Sequence, residues 1–369
     1  MNTNSKLSPG DTFQQVNRTF VCWNNRVYSY FGGCDYFRLS THRRISMAAR
    51  MGLRKYGLNT AASRMTTGNH AVYEKLEAAL AEFFDIPAAT VVPSGYSAAA
   101  VAAQALQGGF SRALIDEKAH ASLRDAARQF GCPIETFQHR DAGSLARLFE
   151  RGGAGDKPIV LTDGLFSHSG EVAPLALYLR RLPARGMILV DDAHGAGILG
   201  AKGRGTPEYA GVSRGRIIQT ISLSKAFGAF GGAILGARAL REKILRSSPM
   251  FAGSTPLPPP LAAAALEALA VIRSEPGLRP RLEKNCQHVR TGLREQGFPV
   301  SSAPTPIIVF NPSTAAEIGA MRERLLSRKI LPTYIEYPGG PGQACYRFAI
   351  SSEHTRRQLD DLLDALTTD

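Results

Sequence analysis

The chain has 369 residues, 44% of them hydrophobic, which is enough for about two domains with sizeable cores. Its net charge is +13. The basic residues are dispersed and no helix-turn-helix, zinc-finger or RNP-type pattern accompanies them, so we predict no nucleic-acid partner. A basic surface suits a small polyanionic ligand equally well, and a solvated face without a specific ligand is the alternative.

The sequence also argues against export and membrane insertion. The N-terminal stretch is polar, and the best candidate span, 261–272, is too short and contains Glu267. The five cysteines are an odd number without a Cys-x-x-Cys pair, which argues against a disulfide framework or a zinc site. We therefore predict a cytoplasmic protein without a membrane span or a metal site.

Short apolar runs alternate with helical stretches through the middle of the chain. The runs are, in order, ATVV, RALID, PIVLTD, MILVDD and RIIQTISLS. Helix-forming stretches such as YSAAAVAAQAL, SLARLFER and LALYLRRL separate them. Continuous apolar runs of this length are typical of buried parallel strands. This pattern predicts an α/β architecture with a mostly parallel sheet.

The pattern changes after about residue 247. The stretch SSPMFAGSTPLPPPL is rich in Pro, Gly and Ser, and we interpret it as a linker or an inter-subunit loop. A long helical segment and a smaller α+β pattern follow it. The sequence thus predicts an N-terminal segment at 1–45, a large cofactor-binding domain at 46–250 and a smaller C-terminal α+β domain at 251–369.

Chemically useful residues follow each apolar run. They are Ser94-Gly95, Asp116 to His120, Asp163 to Ser167, Asp191 to His194 and Ser222 to Lys225. Ligands of open α/β sheets bind beyond the carboxyl ends of the strands, so these segments are expected to converge on one edge.

Lys225 stands out because it lies in the apolar stretch QTISLSKAFGAFGGAILG. A lysine among apolar neighbours has a lowered pKa, which makes its amine a nucleophile able to form a Schiff base. The alternative is a surface lysine at the end of a strand.

The same edge offers what pyridoxal phosphate requires. The cofactor needs a lysine, a carboxylate at its pyridine nitrogen, backbone N–H groups for its phosphate and a flat group over its ring. Lys225, the pair Asp191-Asp192, Gly95 at a helix start and His120 supply these groups.

Four segments carry a resemblance to a known family: EKAHASLRD, TDGLFSHSGEVAPL, VDDAHGAGILG and TISLSKAFGAFGG. In this order they resemble the α-oxoamine synthases, which are pyridoxal-5′-phosphate enzymes, and the resemblance extends from about residue 34 to 355. It implies the type I fold of pyridoxal-phosphate transferases, similar to aspartate aminotransferase. It also implies a homodimer with shared active sites.

The resemblance implies roles for the residues that contact the cofactor ring. Lys225 looks like the Schiff-base lysine, which also moves the α-proton of the substrate. Asp191 looks like the partner of the pyridine nitrogen, although the sequence leaves Asp192 open as the alternative. His194 looks like the hydrogen-bond partner of the cofactor's 3-oxygen, and His120 like the residue stacked on the ring.

Phosphate and substrate contacts follow from the same resemblance. The phosphate ligands would be the backbone of Gly95 and Tyr96, the side chain of Ser222 and, from the neighbouring subunit, Ser254 or Thr255. Ser167 looks like a serine near the cofactor oxygen. Arg347 looks like the arginine that holds the amino-acid carboxylate, because a guanidinium fork matches a carboxylate. Its alternative is a surface arginine on an edge strand.

Several positions depart from the family pattern. Cys34 replaces an asparagine, Arg38 a glycine, Tyr73 a histidine and His168 a methionine. These changes lie mostly around the expected substrate entrance, so the sequence leaves the amino acid and the acyl chain open.

The function that the resemblance implies is condensation of a small amino acid with an acyl thioester, usually with decarboxylation. An aminotransferase of the same fold is the main alternative, although Asp191-x-x-His194 is the synthase pattern. A non-catalytic scaffold subunit is a third possibility, and it would be expected to lack Lys225.

Overall fold

A computed structural model describes residues 11–153, 155–301, 303–336 and 344–367. The first ten residues of the predicted N-terminal segment lie outside this range. The chain divides into two compact units. The large unit comprises residues 42–166 and 172–274, and the small unit comprises residues up to 41, 167–171 and those from 275 onward. None of the described helices has the length and apolarity needed to span a bilayer.

Strands and helices alternate through the large unit, and further strands and helices at both ends of the chain form the small unit. The described strands are β1 (Gln14–Gln15), β2 (Phe20–Trp23), β3 (Arg26–Ser29), β4 (Ala88–Val92), β5 (Arg112–Asp116), β6 (Ile134–Phe137), β7 (Pro158–Asp163), β8 (Met187–Asp191), β9 (Ile217–Ser222), β10 (Gly232–Gly236), β11 (Ile307–Phe310), β12 (Tyr334–Glu336) and β13 (Ala344–Ala349). The described helices are α1 (Arg43–Tyr56), α2 (Ala71–Phe84), α3 (Gly95–Ala105), α4 (Ala121–Gln129), α5 (Ala142–Glu150), α6 (Leu175–Arg181), α7 (Thr206–Tyr209), α8 (Arg238–Ser247), α9 (Pro249–Gly253), α10 (Pro259–Ser274), α11 (Leu278–Glu295), α12 (Ala315–Ser327) and α13 (Arg356–Thr367), with a short 3₁₀ helix at Leu39–Thr41.

A seven-stranded sheet forms the centre of the large unit, in the order β4-β10-β9-β8-β7-β5-β6. Strand β10 is antiparallel to both of its neighbours, and the other neighbouring pairs are parallel. Every residue of β4, β5, β7 and β9 is buried, as expected for strands covered on both faces. The predicted α/β fold with a mostly parallel sheet is therefore confirmed.

Two hydrophobic clusters cover the two faces of this sheet. Leu189 of β8 packs in one cluster, with residues of α3, α4 and α8. Its chain neighbours Ile188 and Val190 pack in the other, with residues of α5 and α6. This alternation follows from the two-residue period of a strand, and it gives the large unit three layers.

Helix α10 belongs to the large unit, although the sequence placed the boundary at 250/251. The cause is close packing of α10 against α1, in which Gly52 provides the necessary space. A Cβ added at Gly52 would lie 2.9 Å from Pro260 Cα and 3.0 Å from Ala263 Cβ. The Pro-rich stretch before α10 suggested a linker, but the small residues of α10 pack within the large unit.

The N-terminal segment, which the sequence set apart as 1–45, is part of the small unit up to residue 41. Ser29 pairs with Ile330 in an isolated bridge, and Ala349 N–H donates to Phe31 O at 2.6 Å. These bonds between distant parts of the chain explain the difference from the predicted boundary. The small unit also contains two three-stranded sheets, β1-β2-β3 and β11-β13-β12.

Candidate active site

Three adjacent strands of the large unit end in polar side chains at one edge of the sheet. Asp163 of β7 lies opposite Asp191 of β8, and Asp191 lies opposite Thr220 of β9. Because these strands are parallel, their carboxyl ends align, and the loops that follow them carry His194 and Lys225. The predicted convergence on one edge is thus observed within the large unit.

Lys225 and His194 contact each other at this edge. Lys225 Nζ lies 2.5 Å from His194 Nε2. Lys225 is half-buried and His194 is buried. A hydrogen bond between these two nitrogens needs one donor and one acceptor, so one of them offers a lone pair. Lys225 follows a fully buried strand, as the sequence indicated. Its amine, however, contacts the imidazole of His194, and the prediction of an apolar environment did not include this polar contact.

The two consecutive aspartates have different partners. Asp191 Oδ2 accepts a hydrogen bond from Ser122 Oγ at 3.1 Å, and its Oδ1 accepts from Ala193 N–H at 3.1 Å. Asp192 instead accepts from Thr206 N–H at 2.8 Å, Thr206 Oγ1 at 2.5 Å and Gln219 Nε2 at 2.6 Å. Asp191 therefore lies on the side of His120 and Ser122, whereas the carboxylate of Asp192 fixes a loop.

Burial affects the acid–base properties of these residues. Complete burial raises the pKa of Asp192 to about 7, although the hydrogen bonds from Thr206 and Gln219 act to lower it. The pKa of His120 is lowered, first by burial and then by the positive charge of Lys225, while Asp191 opposes this shift. His120 is therefore a neutral, flat ring at physiological pH.

His120 is held by residues that the sequence did not single out as ligands. Its backbone N–H donates to Asp163 Oδ2 at 2.9 Å, and its Nδ1 lies 2.8 Å from Ser122 Oγ. Ser122 thus links His120 to Asp191. Burial, together with the negative charge of Asp191, raises the pKa of Asp163 well above its usual value. The only signals in the sequence were the position of Asp163 at a strand end and of Ser122 two residues after His120.

The start of α3 forms a cradle for an anion beside the end of β9. A Cβ added at Gly95 would lie 2.8 Å from Ser222 Cβ, so glycine is required for this close approach. Ser94 caps the helix by accepting from Ser97 N–H at 3.2 Å. The first backbone N–H groups of a helix have no intrahelical partner and attract anions. Gly95, Tyr96 and Ser222 thus fit a phosphate group.

The ring of Tyr96 is half-exposed and lies edge-on to His120, with ring centroids 6.0 Å apart. Its hydroxyl donates to Asp125 Oδ2 at 2.6 Å. The large unit therefore brings together Lys225, His194, Asp191 and His120, which we call the edge cluster. Among the described residues no group of three or more His, Cys, Asp or Glu side chains is arranged to hold a metal ion.

Ser167 and Arg347 lie in the small unit, and they contact each other. Arg347 Nε donates to Ser167 O at 2.8 Å, and Arg347 Nη2 lies 3.5 Å from Cys34 Sγ. Arg347 is only 3% exposed and lies on β13, the central strand of its sheet. The alternative of a surface arginine on an edge strand is therefore wrong.

Ser254 and Thr255 follow α9 in the large unit. Ser254 Oγ donates to Met250 O at 2.6 Å, and Thr255 is exposed. Neither hydrogen-bonds to the edge cluster within the described part of this chain. The segment is held by Tyr73, whose hydroxyl donates to Leu257 O at 2.6 Å. Tyr73 is fully buried, and burial raises its pKa to about 12.

Comparison with known proteins gives consistent matches along the chain. The sequence profile of class I and II aminotransferases matches residues 35–366. A putative 8-amino-7-oxononanoate synthase from Desulforudis audaxviator is 36% identical over 352 residues, covering 94% of this chain and 91% of that protein. The 8-amino-7-oxononanoate synthase from Methylococcus capsulatus is 34% identical over 335 residues, covering 90% and 86% respectively.

Solved structures also match over most of the length of the chain. A serine palmitoyltransferase from S. paucimobilis, determined with pyridoxal phosphate and myriocin, has a TM-score of 0.90 at 25% identity, covering 97% of this chain and 91% of that one. An 8-amino-7-oxononanoate synthase from Francisella tularensis has a TM-score of 0.78 at 25% identity, covering 91% and 96% respectively.

Proposed function

From the premise that the chain belongs to the class I and II aminotransferase family and is a pyridoxal-5′-phosphate-dependent acyltransferase of the α-oxoamine synthase type, we propose that the edge cluster condenses alanine with an acyl thioester. The observation that carries the site assignment is the contact between Lys225 Nζ and His194 Nε2 beside Asp191.

The residues present fit the cofactor. Lys225 would attach it, Asp191 would face its pyridine nitrogen and His120 would cover its ring. His194 would reach its 3-oxygen, with Ser167 near the same oxygen. The cradle of Gly95, Tyr96 and Ser222 would hold the phosphate, as the close approach at Gly95 supports. When bound, pyridoxal phosphate supplies an electron sink that acidifies the α-proton of an amino acid.

Side chains of the protein itself would transfer the α-proton and hold the pyridinium proton. Lys225 Nζ contacts His194 Nε2, and an amine that has given up its proton can accept the α-proton of the substrate. The carboxylate of Asp191 is oriented by Ser122 Oγ–H and Ala193 N–H, and a carboxylate fixed in this way holds a pyridinium proton without reorganisation.

We propose that Arg347 binds the carboxylate of the amino acid. It is a buried guanidinium whose Nε is already oriented by Ser167 O. A planar fork with further N–H donors suits a carboxylate, and burial strengthens such a pair.

The identity of the substrates rests on the chemistry of the relatives' named product. In 8-amino-7-oxononanoate, carbons 8 and 9 with the amine correspond to alanine after loss of its carboxylate. Carbons 1–7 correspond to a seven-carbon acyl group that ends in a second carboxylate. We therefore propose alanine and a thioester of such an acyl chain, carried by coenzyme A or a carrier protein, while glycine and serine are the competing amino acids.

We further propose a homodimer in the cytoplasm. The large unit exposes a set of large apolar side chains, as expected for a surface that a second copy covers: Met47, Met51, Leu53, Leu58 and Met65. In this assembly Ser254 or Thr255 of one subunit would reach the phosphate of the other. The five cysteines are free thiols, which suits a reducing compartment.

One assay tests the reaction class. Protein loaded with pyridoxal phosphate is mixed with an acyl thioester and alanine, glycine or serine, and thiol release is measured. We expect thiol release that depends on the amino acid and is fastest with alanine. Transfer of the amino group to a keto acid without consumption of thioester would instead identify an aminotransferase.

A second experiment tests the shared site. Lys225→Ala protein is mixed with a Ser254→Ala/Thr255→Ala double variant, each inactive as a homodimer under the proposal. Heterodimers should regain activity, because one of their two sites contains all the wild-type residues. A fully active monomer would exclude the shared site.

A further inference from the structure

A cavity lies in the large unit, at the amino-terminal edge of the seven-stranded sheet. It has a volume of about 360 Å³. It borders the first residues of β8 and β9 and the last residues of β10, whereas the edge cluster follows the carboxyl ends of β8 and β9. Its lining includes Ile217, Gln219, Leu235, Ala239, Leu240 and Lys243.

The cavity combines an apolar wall with a positive rim. Ile217, Leu235 and Leu240 are buried, whereas Lys243 on α8 is exposed. In the described part of the chain the amine of Lys243 has no hydrogen bond or ion pair. Asp85, which also lines the cavity, is paired with Arg204 at 2.9 Å, so its charge is compensated. The size and the mostly apolar lining are typical of small-molecule sites.

One polar side chain connects this cavity with the loop of the edge cluster. Gln219 lines the cavity, and its Nε2 donates to Asp192 Oδ2 at 2.6 Å. Asp192 directly follows Asp191 and precedes His194 by two residues. Gln219 Oε1 is buried and has no hydrogen-bond partner among the described atoms. A ligand that moves Gln219 would therefore alter a hydrogen bond to a buried carboxyl group, which is a strong interaction.

We propose that the cavity is an effector site for a medium-chain aliphatic carboxylate. Its alkyl chain packs against Ile217, Leu235 and Leu240, and its carboxylate pairs with Lys243. Gln219 and Asp192 transmit its binding to the edge cluster, so occupancy of the cavity changes the affinity of the active site for the amino acid. An acyl chain released from a thioester has this chemistry, but the proposal concerns binding and does not depend on acyl transfer.

Direct binding is measured by calorimetry on the cofactor-loaded protein, with acetate, hexanoate and octanoate as probes. Each buried methylene should improve affinity about three- to four-fold from hexanoate to octanoate. Acetate tests the charge alone and should bind far more weakly. Equal binding of the three carboxylates would show attraction to the basic surface only and would overturn the proposal.

Variants locate the site. Ala239→Trp, at an exposed position of α8 that lines the cavity, should cover it and weaken octanoate at least ten-fold. Lys243→Glu should weaken octanoate about five- to ten-fold. Lys284→Glu makes the same change of charge on the exposed surface of α11 and should leave binding unchanged. Melting curves check that each variant is folded. An octanoate dissociation constant that is unchanged in both cavity variants would overturn the proposal.

Linkage tests the effector role. The dissociation constant of alanine, read from the visible absorbance of the bound cofactor, should change at least three-fold when octanoate is saturating. The dissociation constant of octanoate must then change by the same factor when alanine is saturating. Octanoate that binds in the cavity without changing the affinity for alanine would overturn the proposal, whatever the result of the thioester assay.

Discussion

The edge cluster of the large unit and a buried polar cluster of the small unit contain similar residue types but use them differently. In the small unit, Arg38 Nη2 donates to Tyr30 O at 2.8 Å, and His354 Nε2 lies 3.1 Å from the same carbonyl. His354 Nδ1 accepts from Ser351 N–H at 3.0 Å, and its ring stacks on Phe31 with centroids 4.1 Å apart. These polar groups are directed at the backbone of their own unit.

In the edge cluster several contacts run between side chains. Lys225 meets His194, and Ser122 links His120 to Asp191. Such groups can exchange partners when a ligand enters, whereas bonds to backbone carbonyls hold the fold. Buried histidines and charged groups with side-chain partners are therefore candidates for a ligand site, and the following predictions test this distinction.

The largest effect is expected for Lys225→Ala. The proposed proton transfer at Nζ is lost, so the turnover number should fall by at least about 10²–10⁴-fold. Borohydride reduction of the wild-type protein should fix the cofactor on the peptide that contains Lys225. Lys202→Ala, at an exposed position, is the control and should retain both activity and labelling. Labelling of a different lysine in the wild-type protein would refute the assignment.

Substitution of Asp191 should mainly lower catalytic turnover, whereas substitution of Asp192 should mainly lower stability. Asp191→Asn should lower turnover about 10²–10³-fold with little change in melting temperature, because an amide cannot hold the pyridinium proton. Asp192→Asn should mainly lower stability, by about 1–3 kcal/mol, because its amide group meets the donors of Thr206 or Gln219. Thermal unfolding and steady-state kinetics on both variants check this, and the reverse pattern would assign the pyridine contact to Asp192.

Acid should weaken the small unit through His354. Complete burial, aided by the charge of Arg38, lowers the pKa of His354 to about 3. The unfolded histidine, with a pKa of about 6.5, binds protons that the folded one does not, so stability falls as the pH drops below about 6.5. Between pH 7 and pH 5 the loss should be about 2 kcal/mol.

The single tryptophan, Trp23, lies in the small unit and reports its unfolding by fluorescence. In His354→Gln the dependence on pH over this range should be flatter by the same amount, although the protein is less stable overall. His288→Gln, which replaces a partly exposed histidine, is the matched control. An unchanged slope in His354→Gln would contradict the buried neutral histidine.

The smallest effect is expected for Arg347→Lys. An ammonium keeps the charge but loses the fork and the orienting bond to Ser167 O, so affinity for the amino acid should fall about ten-fold. Arg328→Lys, on the surface of the same unit, is the control. The amino-acid dissociation constant, read from the cofactor absorbance, measures the change. Wild-type affinity in Arg347→Lys would place the carboxylate elsewhere.

Local sequence was sufficient to predict the α/β fold, the family and its cofactor. It also predicted that Lys225 and His194 lie close together. The physical reason is that fully buried parallel strands require continuous apolar runs, and the residues just after them must meet at one edge. Comparison with known proteins confirms the family and the reaction class, while the roles of individual site residues remain predictions.

Contacts between distant parts of the chain decided features that no local pattern contained. Asp191 and Asp192 are adjacent and chemically identical, and they differ only because Ser122 lies near one and Thr206 and Gln219 bind the other. Likewise, α10 joins the large unit because Gly52 admits it, and Arg347 is buried because β13 is the central strand of its sheet. Local patterns do not encode such pairings, because each depends on which residues the folded chain brings together.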